Sequence, residues 1–398
     1  MKEAFEAVRV TEKVYWVGAI DWNIRDFHGY STHRGTTYNA YLVLADRVTL
    51  VDTVKAPFRE ELIARISSVI DPGKIDYIVS NHSEMDHSGC LPEMIDMIKP
   101  EKVFASTMGV KALADHFHDG LDVTEVKDGD RIDLGDMAIT VLETRMLHWP
   151  DSMVSYLEEE KLLFSQDGFG MHLASSERFD DELPFPLLEH EARKYYANIL
   201  LPFSRQVLKV LDRLAEAKLE LDIVAPDHGP VWRKNQGRIL ELYRGWAEQR
   251  RGKKAVVAYD TMWGSTEKMA KAIADGLASG GASVKVMKLR AAHRSDIATE
   301  VLDAGALVVG SPTINNNIFP TIADILFYLK GLKPVGLIGA AFGSYGWSGE
   351  AAGQVEELLE GMKVEIAGEA PRVKYVPDKE MLENCRNLGR AIADKLRG

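Results

Sequence analysis

The chain has 398 residues, enough for two or three domains, and 46% of them are apolar, so either half can bury a core. A formal net charge of −12 excludes the basic face that nucleic-acid binding needs and the polybasic segment that draws a protein to an anionic membrane. With only two cysteines, Cys90 and Cys385, and no CxxC pair, a zinc ribbon, a redox disulfide motif and a cysteine-bound iron site are excluded, and a reducing compartment is expected. The opening MKEAFEAVRV lacks the apolar stretch of a signal peptide, and apolar runs such as VGLIGAAFG (335–343) are too short to span a bilayer, so the expected location is the cytoplasm.

The predicted elements fall into two textures. Up to about residue 250, short β-branched runs alternate with turns and a few helices. In chain order these are KVYWVGAI (13–20), AYLVLAD (40–46), VTLVDT (48–53), DYIVSNH (76–82), KVFAS (102–106), AITVLET (138–144), LLFSQD (162–167) and DIVAPDH (222–228). Many end in Asp or His, and strand ends are where sites are built. The charged stretch EQRRGKKA (248–255) reads as a linker, which sets two domains, 1–250 and 254–398. In the second, AVVAYD (255–260) leads to a helix at 265–280, SVKVMKL (283–289) to a helical stretch at 294–303, and ALVVGSP (306–312) to a helix at 320–330. VGLIGAAFG then leads to a helix at 349–361, and a strand near 363–367 to the last helix, 378–396. This alternation predicts a doubly wound parallel sheet of flavodoxin size.

The densest chemistry lies in NHSEMDHSG (81–89), where His82, Glu84, Asp86 and His87 fall within six residues after a buried strand. A loop can curl four such side chains around one point, and two imidazoles with two carboxylates form a metal-ligand set. His148, Asp167 and His228 stand at the ends of three later strands. Four histidines and three carboxylates exceed the needs of one ion and suit two ions sharing a carboxylate, with Asp167 the natural bridge.

The set resembles that of the metallo-β-lactamase fold, whose hydrolytic members usually carry HxHxDH around zinc. Here Glu84 replaces the second histidine. The harder, more anionic site suits oxidised iron, whereas zinc has no redox chemistry. The pattern HxExDH, followed by His148, Asp167 and His228, with STHRGTTYNAYL (31–42) and LHWPDSM (147–153), resembles the flavodiiron protein family along the whole chain. That resemblance implies an N-terminal metallo-β-lactamase-like αββα domain and a C-terminal flavodoxin-like domain. It also implies one iron on His82, Glu84 and His148, a second on Asp86, His87 and His228, and Asp167 between them.

In AVVAYDTMWGSTEKMA (255–270), a strand, a tight loop and a helix follow one another. The loop Thr261, Met262, Trp263, Gly264, Ser265 and Thr266 places backbone N–H groups and hydroxyls at a helix N-terminus, a phosphate cradle without the GK[ST] of nucleoside triphosphate sites. It resembles the FMN phosphate loop of flavodoxins. Two later loops reach the same sheet edge, the first carrying Pro312, Thr313, Ile314, Asn315 and Asn316. The second carries Phe342, Gly343, Ser344, Tyr345, Gly346, Trp347 and Gly349. Trp263, Tyr345 and Trp347 offer flat faces for a flavin, and the expected cofactor is FMN.

His28, His172 and Tyr196 are candidate donors beside bound substrate, a placement the resemblance supports. The implied activity is reduction of dioxygen to water, of nitric oxide to nitrous oxide, or both, with electrons passing from FMN to the two irons. The implied partners are a rubredoxin-like donor or a reduced deazaflavin coenzyme, and a second copy in a head-to-tail homodimer, or a tetramer built from it. A metal-dependent hydrolase fused to a flavodoxin domain, and a gas-sensing module without turnover, are the competing classes. Glu84 and the flavin loops weigh against the first, and the complete ligand set against the second.

Overall fold

The computed structural model describes residues 5–118 and 120–397; the outermost residues of both expected domains, 1–4 and 398, lie outside this range. By its internal packing the chain divides into two units. The first is Met1–His28, Thr32–Tyr195 and Phe203–Arg244, and the second is Gly29–Ser31, Tyr196–Pro202 and Gly245–Gly398.

The first unit contains a seven-stranded and a five-stranded sheet. In the larger, the order is Val8–Arg9, Val14–Trp16, Tyr41–Val43, Thr49–Val51, Tyr77–Ser80, Lys102–Ser106, Thr124–Val126, antiparallel at first and parallel from Thr49–Val51 onward. Side chains alternate across a strand, so each run feeds two cores. Tyr41, Val43, Val51, Val79 and Phe104 join one core with Ile139, Val141, Leu157 and Phe164 of the second sheet. Leu42, Leu50, Ile78, Val103 and Ala105 join the other, against Leu62, Ile66, Leu91, Met94 and Leu113. Both faces of the sheet are covered, which is why its strands read as continuous apolar runs. The second sheet runs Arg131–Asp133, Ala138–Glu143, Met153–Leu157, Leu162–Gln166, Ile223–Pro226, and only its last pair is parallel.

In the second unit the strands are ordered Ser283–Lys288, Lys254–Tyr259, Ala306–Pro312, Ile338–Tyr345, Glu365–Ile366, all parallel, with the helices of the βα repeats between them. This is the flavodoxin-like order expected from the alternation.

Three departures from the sequence reading have local causes. KVYWVGAI is two strands in separate sheets, Val14–Trp16 and Ala19–Asp21. A Cβ on Gly18 would lie 2.2 Å from the Tyr38 carbonyl oxygen, so the chain turns where only bare backbone fits. Met153–Leu157, wholly buried, is a strand the reading passed over, beginning at the last residue of the LHWPDSM stretch. The final strand is broken: Glu365–Ile366 pairs one end of Ile338–Tyr345, and Arg372–Lys374 pairs the other.

Candidate metal centre and cofactor cavity

Seven side chains of the first unit converge from four strand ends. Strand Tyr77–Ser80 leads to His82 and Glu84, and Asp86 and His87 follow on one helical turn, Met85–Ser88, where a loop was expected. The Glu84 carbonyl accepts from the His87 and Ser88 N–H groups and closes that turn. His148, Asp167 and His228 lie just past strands Ala138–Glu143, Leu162–Gln166 and Ile223–Pro226.

The ligand atoms form two sets, each within 4.8 Å: His82, Glu84, His148 and Asp167, and Asp86, His87 and His228. Asp167 faces both. Its Oδ2 is 3.0 Å from His148 Nε2 and 3.4 Å from His82 Nε2, while Oδ1 is 3.3 Å from His87 Nε2 and 3.4 Å from His228 Nε2. Glu84 Oε2 stands 3.3 Å from His82 Nε2 and 3.4 Å from His148 Nε2. Asp86 Oδ2 stands 3.2 Å from His228 Nε2. Such spacings match the edges of a tetrahedron or octahedron with bonds of about 2.1 Å.

Outer contacts aim the rings. His82 Nδ1 lies 3.1 Å from Asp151 Oδ2, which also accepts from the Ser83 N–H and hydroxyl, each at 2.7 Å. His228 Nδ1 donates to the Thr37 carbonyl at 2.6 Å. Each bond leaves Nε2 free to face the centre. Among the side chains alone, burial disfavours the His87 imidazolium, yet Asp86, Asp227 and Asp167 outweigh it and lift the pKa to about 10. Burial likewise opposes His148, and Asp167 and Glu84 raise it to about 9. Glu84 and Asp167 are held below their ordinary values because their histidine neighbours overcome the cost of burial. The cluster is a buried anionic nest that demands positive charge.

A metal pair fits on an observation of the side chains themselves. Both Asp86 oxygens, the inward-facing His87 Nε2 and Asp167 Oδ1 are buried without a hydrogen-bond partner. Orphaned polar atoms cost about 1–3 kcal/mol each, and a coordinated ion satisfies them together.

The other sequence candidates divide. His28 Nε2 lies 3.3 Å from Glu84 Oε1 on a largely exposed side chain. His172 is buried, with Nδ1 2.8 Å from the Thr36 hydroxyl and its ring 4.7 Å from that of His228. Burial, then the charge of His228, pushes the pKa of His172 well down, so its imidazole is neutral. The Tyr196 ring packs on Trp246 at 5.5 Å in the second unit. Its neighbour Tyr195, which the sequence reading missed, is buried 5.0 Å from the His172 ring and 6.0 Å from that of His228. Asp151 and Asp52 were missed too. Asp151 sits inside LHWPDSM, and Asp52 is the penultimate residue of VTLVDT and accepts from the Asn81 N–H and side-chain amide, each at 2.7 Å.

In the second unit a cavity of about 540 Å³ opens among the loops at the carboxyl ends of the parallel strands. Of the sequence candidates, Met262, Trp263, Ser265, Pro312, Thr313, Ile314, Asn315, Asn316, Ser344, Tyr345, Gly346 and Trp347 line it. Thr261, Gly264, Thr266, Phe342, Gly343 and Gly349 stand behind the lining. Thr261 Oγ1 accepts from the Gly264 N–H at 3.0 Å, and the hydroxyls of Thr266 and Ser344 bond at 2.9 Å. Phe342 is core: its ring fills the space a Cβ on Gly310 would need. The absent side chain of Gly343 leaves room for the Ser311 carbonyl, and that of Gly349 for the Tyr345 ring. Ser348, Tyr375 and Val376 line the cavity and were missed; the last two follow the overlooked strand Arg372–Lys374.

A flavin mononucleotide fits this cavity. Helix Ser265–Ser279 begins at Gly264, with φ of 87° and no side-chain cap, so its first N–H groups remain for a phosphate. Trp263 and Trp347, 95% and 86% exposed, border a volume typical of cofactor sites.

The fold and the paired clusters thus define a metallo-β-lactamase-type dimetal unit joined to a flavodoxin-type unit. Comparison agrees: residues 36–229 match the family model described as ODP family beta lactamase, and residues 257–389 the one described as flavodoxin. The chain is 49% identical over 395 residues to a nitric oxide reductase of Moorella thermoacetica, covering 98% of this chain and 99% of that one. It is 47% identical over 396 residues to the rubredoxin-oxygen oxidoreductase of Megalodesulfovibrio gigas, covering 98% of each. The crystal structure of the flavodiiron protein from Giardia intestinalis superposes with a TM-score of 0.93 at 32% identity, covering 98% of this chain and 97% of that one. The chain belongs to the flavodiiron protein family.

Proposed function

We propose that this protein is an oxidoreductase of the cytoplasm that reduces dioxygen to water, nitric oxide to nitrous oxide, or both, using FMN and a di-iron centre. We take 1–250 as the metal domain and 254–398 as the flavin domain. The observation that carries the reading is Asp167, whose two oxygens address two separate ligand sets, in a chain that also holds a flavin-sized cavity. When bound, the flavin supplies electrons and the iron pair supplies adjacent positions for a small gas molecule.

The chain's own groups do the rest. His82, Glu84 and His148 would hold one ion, and Asp86, His87 and His228 the other, with Asp167 facing both sets. His28 and the neutral His172 would hydrogen-bond a small ligand at the centre, a role supported by their nearness to Glu84 and His228, and Tyr195 would join them in place of Tyr196. Phe27, its ring 4.9 Å from that of His172, limits water beside these groups. In the cavity, the first turn after Gly264 would hold the phosphate of FMN, Thr313, Asn315 and Asn316 would meet its polar rim, and Trp263 and Trp347 would cover its ring. The exposure of those two tryptophans supports a covering surface on a second copy, as in a head-to-tail homodimer where each flavin serves the partner's irons. A separate rubredoxin-like protein is the proposed donor, with a reduced deazaflavin coenzyme the alternative. Among the described residues no helix is long and apolar enough to cross a membrane.

The test is anaerobic reduction of the purified protein, followed by addition of either gas with metal analysis alongside. Iron near two per chain and steady consumption of dioxygen or nitric oxide are expected. Zinc in place of iron, or hydrolysis of a thioester or lactam without gas consumption, overturns the proposal.

A further inference from the structure

His228 differs from the other ligands in how its loop is held. Asn39, fully buried between strands Thr36–Tyr38 and Tyr41–Val43, grips that loop at three points. Its backbone N–H donates to the Asp227 carbonyl at 2.8 Å, and its side-chain amide donates to the carbonyls of Pro226 at 2.6 Å and Gly229 at 2.9 Å. One side chain therefore brackets His228 from both sides in sequence. The amide's oxygen accepts from the buried Trp16 indole N–H at 2.8 Å. An indole nitrogen can only donate, so it forces Oδ1 toward itself and Nδ2 toward the loop. Gly18 lets the Trp16 chain press close, since a Cβ there would stand 2.7 Å from Asn39 Cα. The Tyr41 hydroxyl also donates to the Pro226 carbonyl, at 2.7 Å. With these bonds made, His228 Nε2 stands 3.2 Å from Asp86 Oδ2 and 3.4 Å from Asp167 Oδ1.

We propose that Asn39, oriented by Trp16, is a positioning residue for one metal site only: it sets the affinity of the Asp86–His87–His228 position and leaves the His82–Glu84–His148 position nearly unchanged. This selectivity follows from what each loop rests on. The ring of His82 leans on Asp151, which the Ser83 N–H holds in turn, whereas the Pro226–Gly229 turn leans on Asn39. Asn39→Asp keeps the shape but turns a donor into an anionic acceptor facing two backbone carbonyls. Trp16→Phe removes the N–H that orients the amide, together with part of a buried ring that belongs to the core rather than to the His228 loop.

The inference rests on the two-metal reading, and one titration separates their fates. Cobalt(II) is titrated calorimetrically into metal-free, flavin-loaded protein, and the d–d absorption of each bound ion is followed. If the wild-type protein binds fewer than two ions, the two-metal reading fails. If it binds two, the variants decide the inference. In N39D one site weakens by about 10- to 100-fold and the other by less than about 3-fold, and in W16F the same site weakens by a smaller factor, as outer-shell changes do. Equal weakening of both sites, or no change in either, overturns the inference. Should N39D not fold, the selectivity is read from W16F and N39A by the same criterion. FMN content, unaffected if the role is confined to this loop, is the internal control.

Discussion

The two units hold their cofactors by opposite means. The first spends side chains: seven candidate ligand groups, all but the half-buried His148 fully buried and several of their atoms without a hydrogen-bond partner, wait at the ends of strands from two facing sheets. The second spends backbone and flat rings: an uncapped helix start at Gly264, two asparagines at positive φ, and two tryptophans standing almost bare. A metal centre must gather charge out of water, and it persists only where every atom is satisfied. A flavin brings its own polar rim and apolar ring, so its site needs only a shaped edge with free N–H groups. The first site is therefore intolerant of change, and the second is graded.

That contrast can be broken by substitution. The largest effect is expected from Asp167→Asn, which leaves no pair of anionic oxygens to face both sets. Metal affinity should fall more than about 100-fold, beyond the range for outer-shell changes, and gas reduction with it, while flavin absorbance per chain is unchanged; loss of flavin along with metal would contradict the separateness of the sites. Next comes Asp151→Asn, which takes the anionic acceptor from His82 Nδ1. About a 10- to 100-fold weaker ion at the His82 position is expected by metal titration, and full retention would show that Ser83 and packing suffice. The smallest is Trp347→Ala, where losing one ring face costs about 1–2 kcal/mol. FMN dissociation measured by fluorescence should rise roughly 5- to 30-fold, with metal content untouched.

The same contrast governed what could be read beforehand. The candidate metal cluster was legible because its chemistry is in the side chains and His82, Glu84, Asp86 and His87 crowd six residues. The βα alternation after residue 254 was legible because buried parallel strands are uniformly apolar. Asn39 was not, since its three grips on the His228 loop join segments far apart in sequence and leave no local pattern. Tyr195 and Tyr196 are adjacent and chemically alike, and only the turn of the helix ending at Tyr195 decides which ring approaches His172. Phe342 was taken for a cofactor contact because a glycine-rich loop advertises open space. The missing side chain of Gly310 is instead filled by that ring. Tyr375 and Val376 were hidden by the break in the last strand, which no turn signal announces.

The placement of His228 at the end of Ile223–Pro226, a strand that joins its sheet by parallel pairing with Leu162–Gln166, carries a consequence for biogenesis. Parallel neighbours cannot be joined by a tight hairpin, so a long crossover must close before that imidazole meets the rest. A ribosome-bound fragment ending before this strand carries six of the seven ligand groups and lacks only His228. Completion of the Asp86–His87–His228 set therefore waits for the first unit's last strand to dock, and ions bound there would act afterwards as a latch across the two sheets that chelators would pry open.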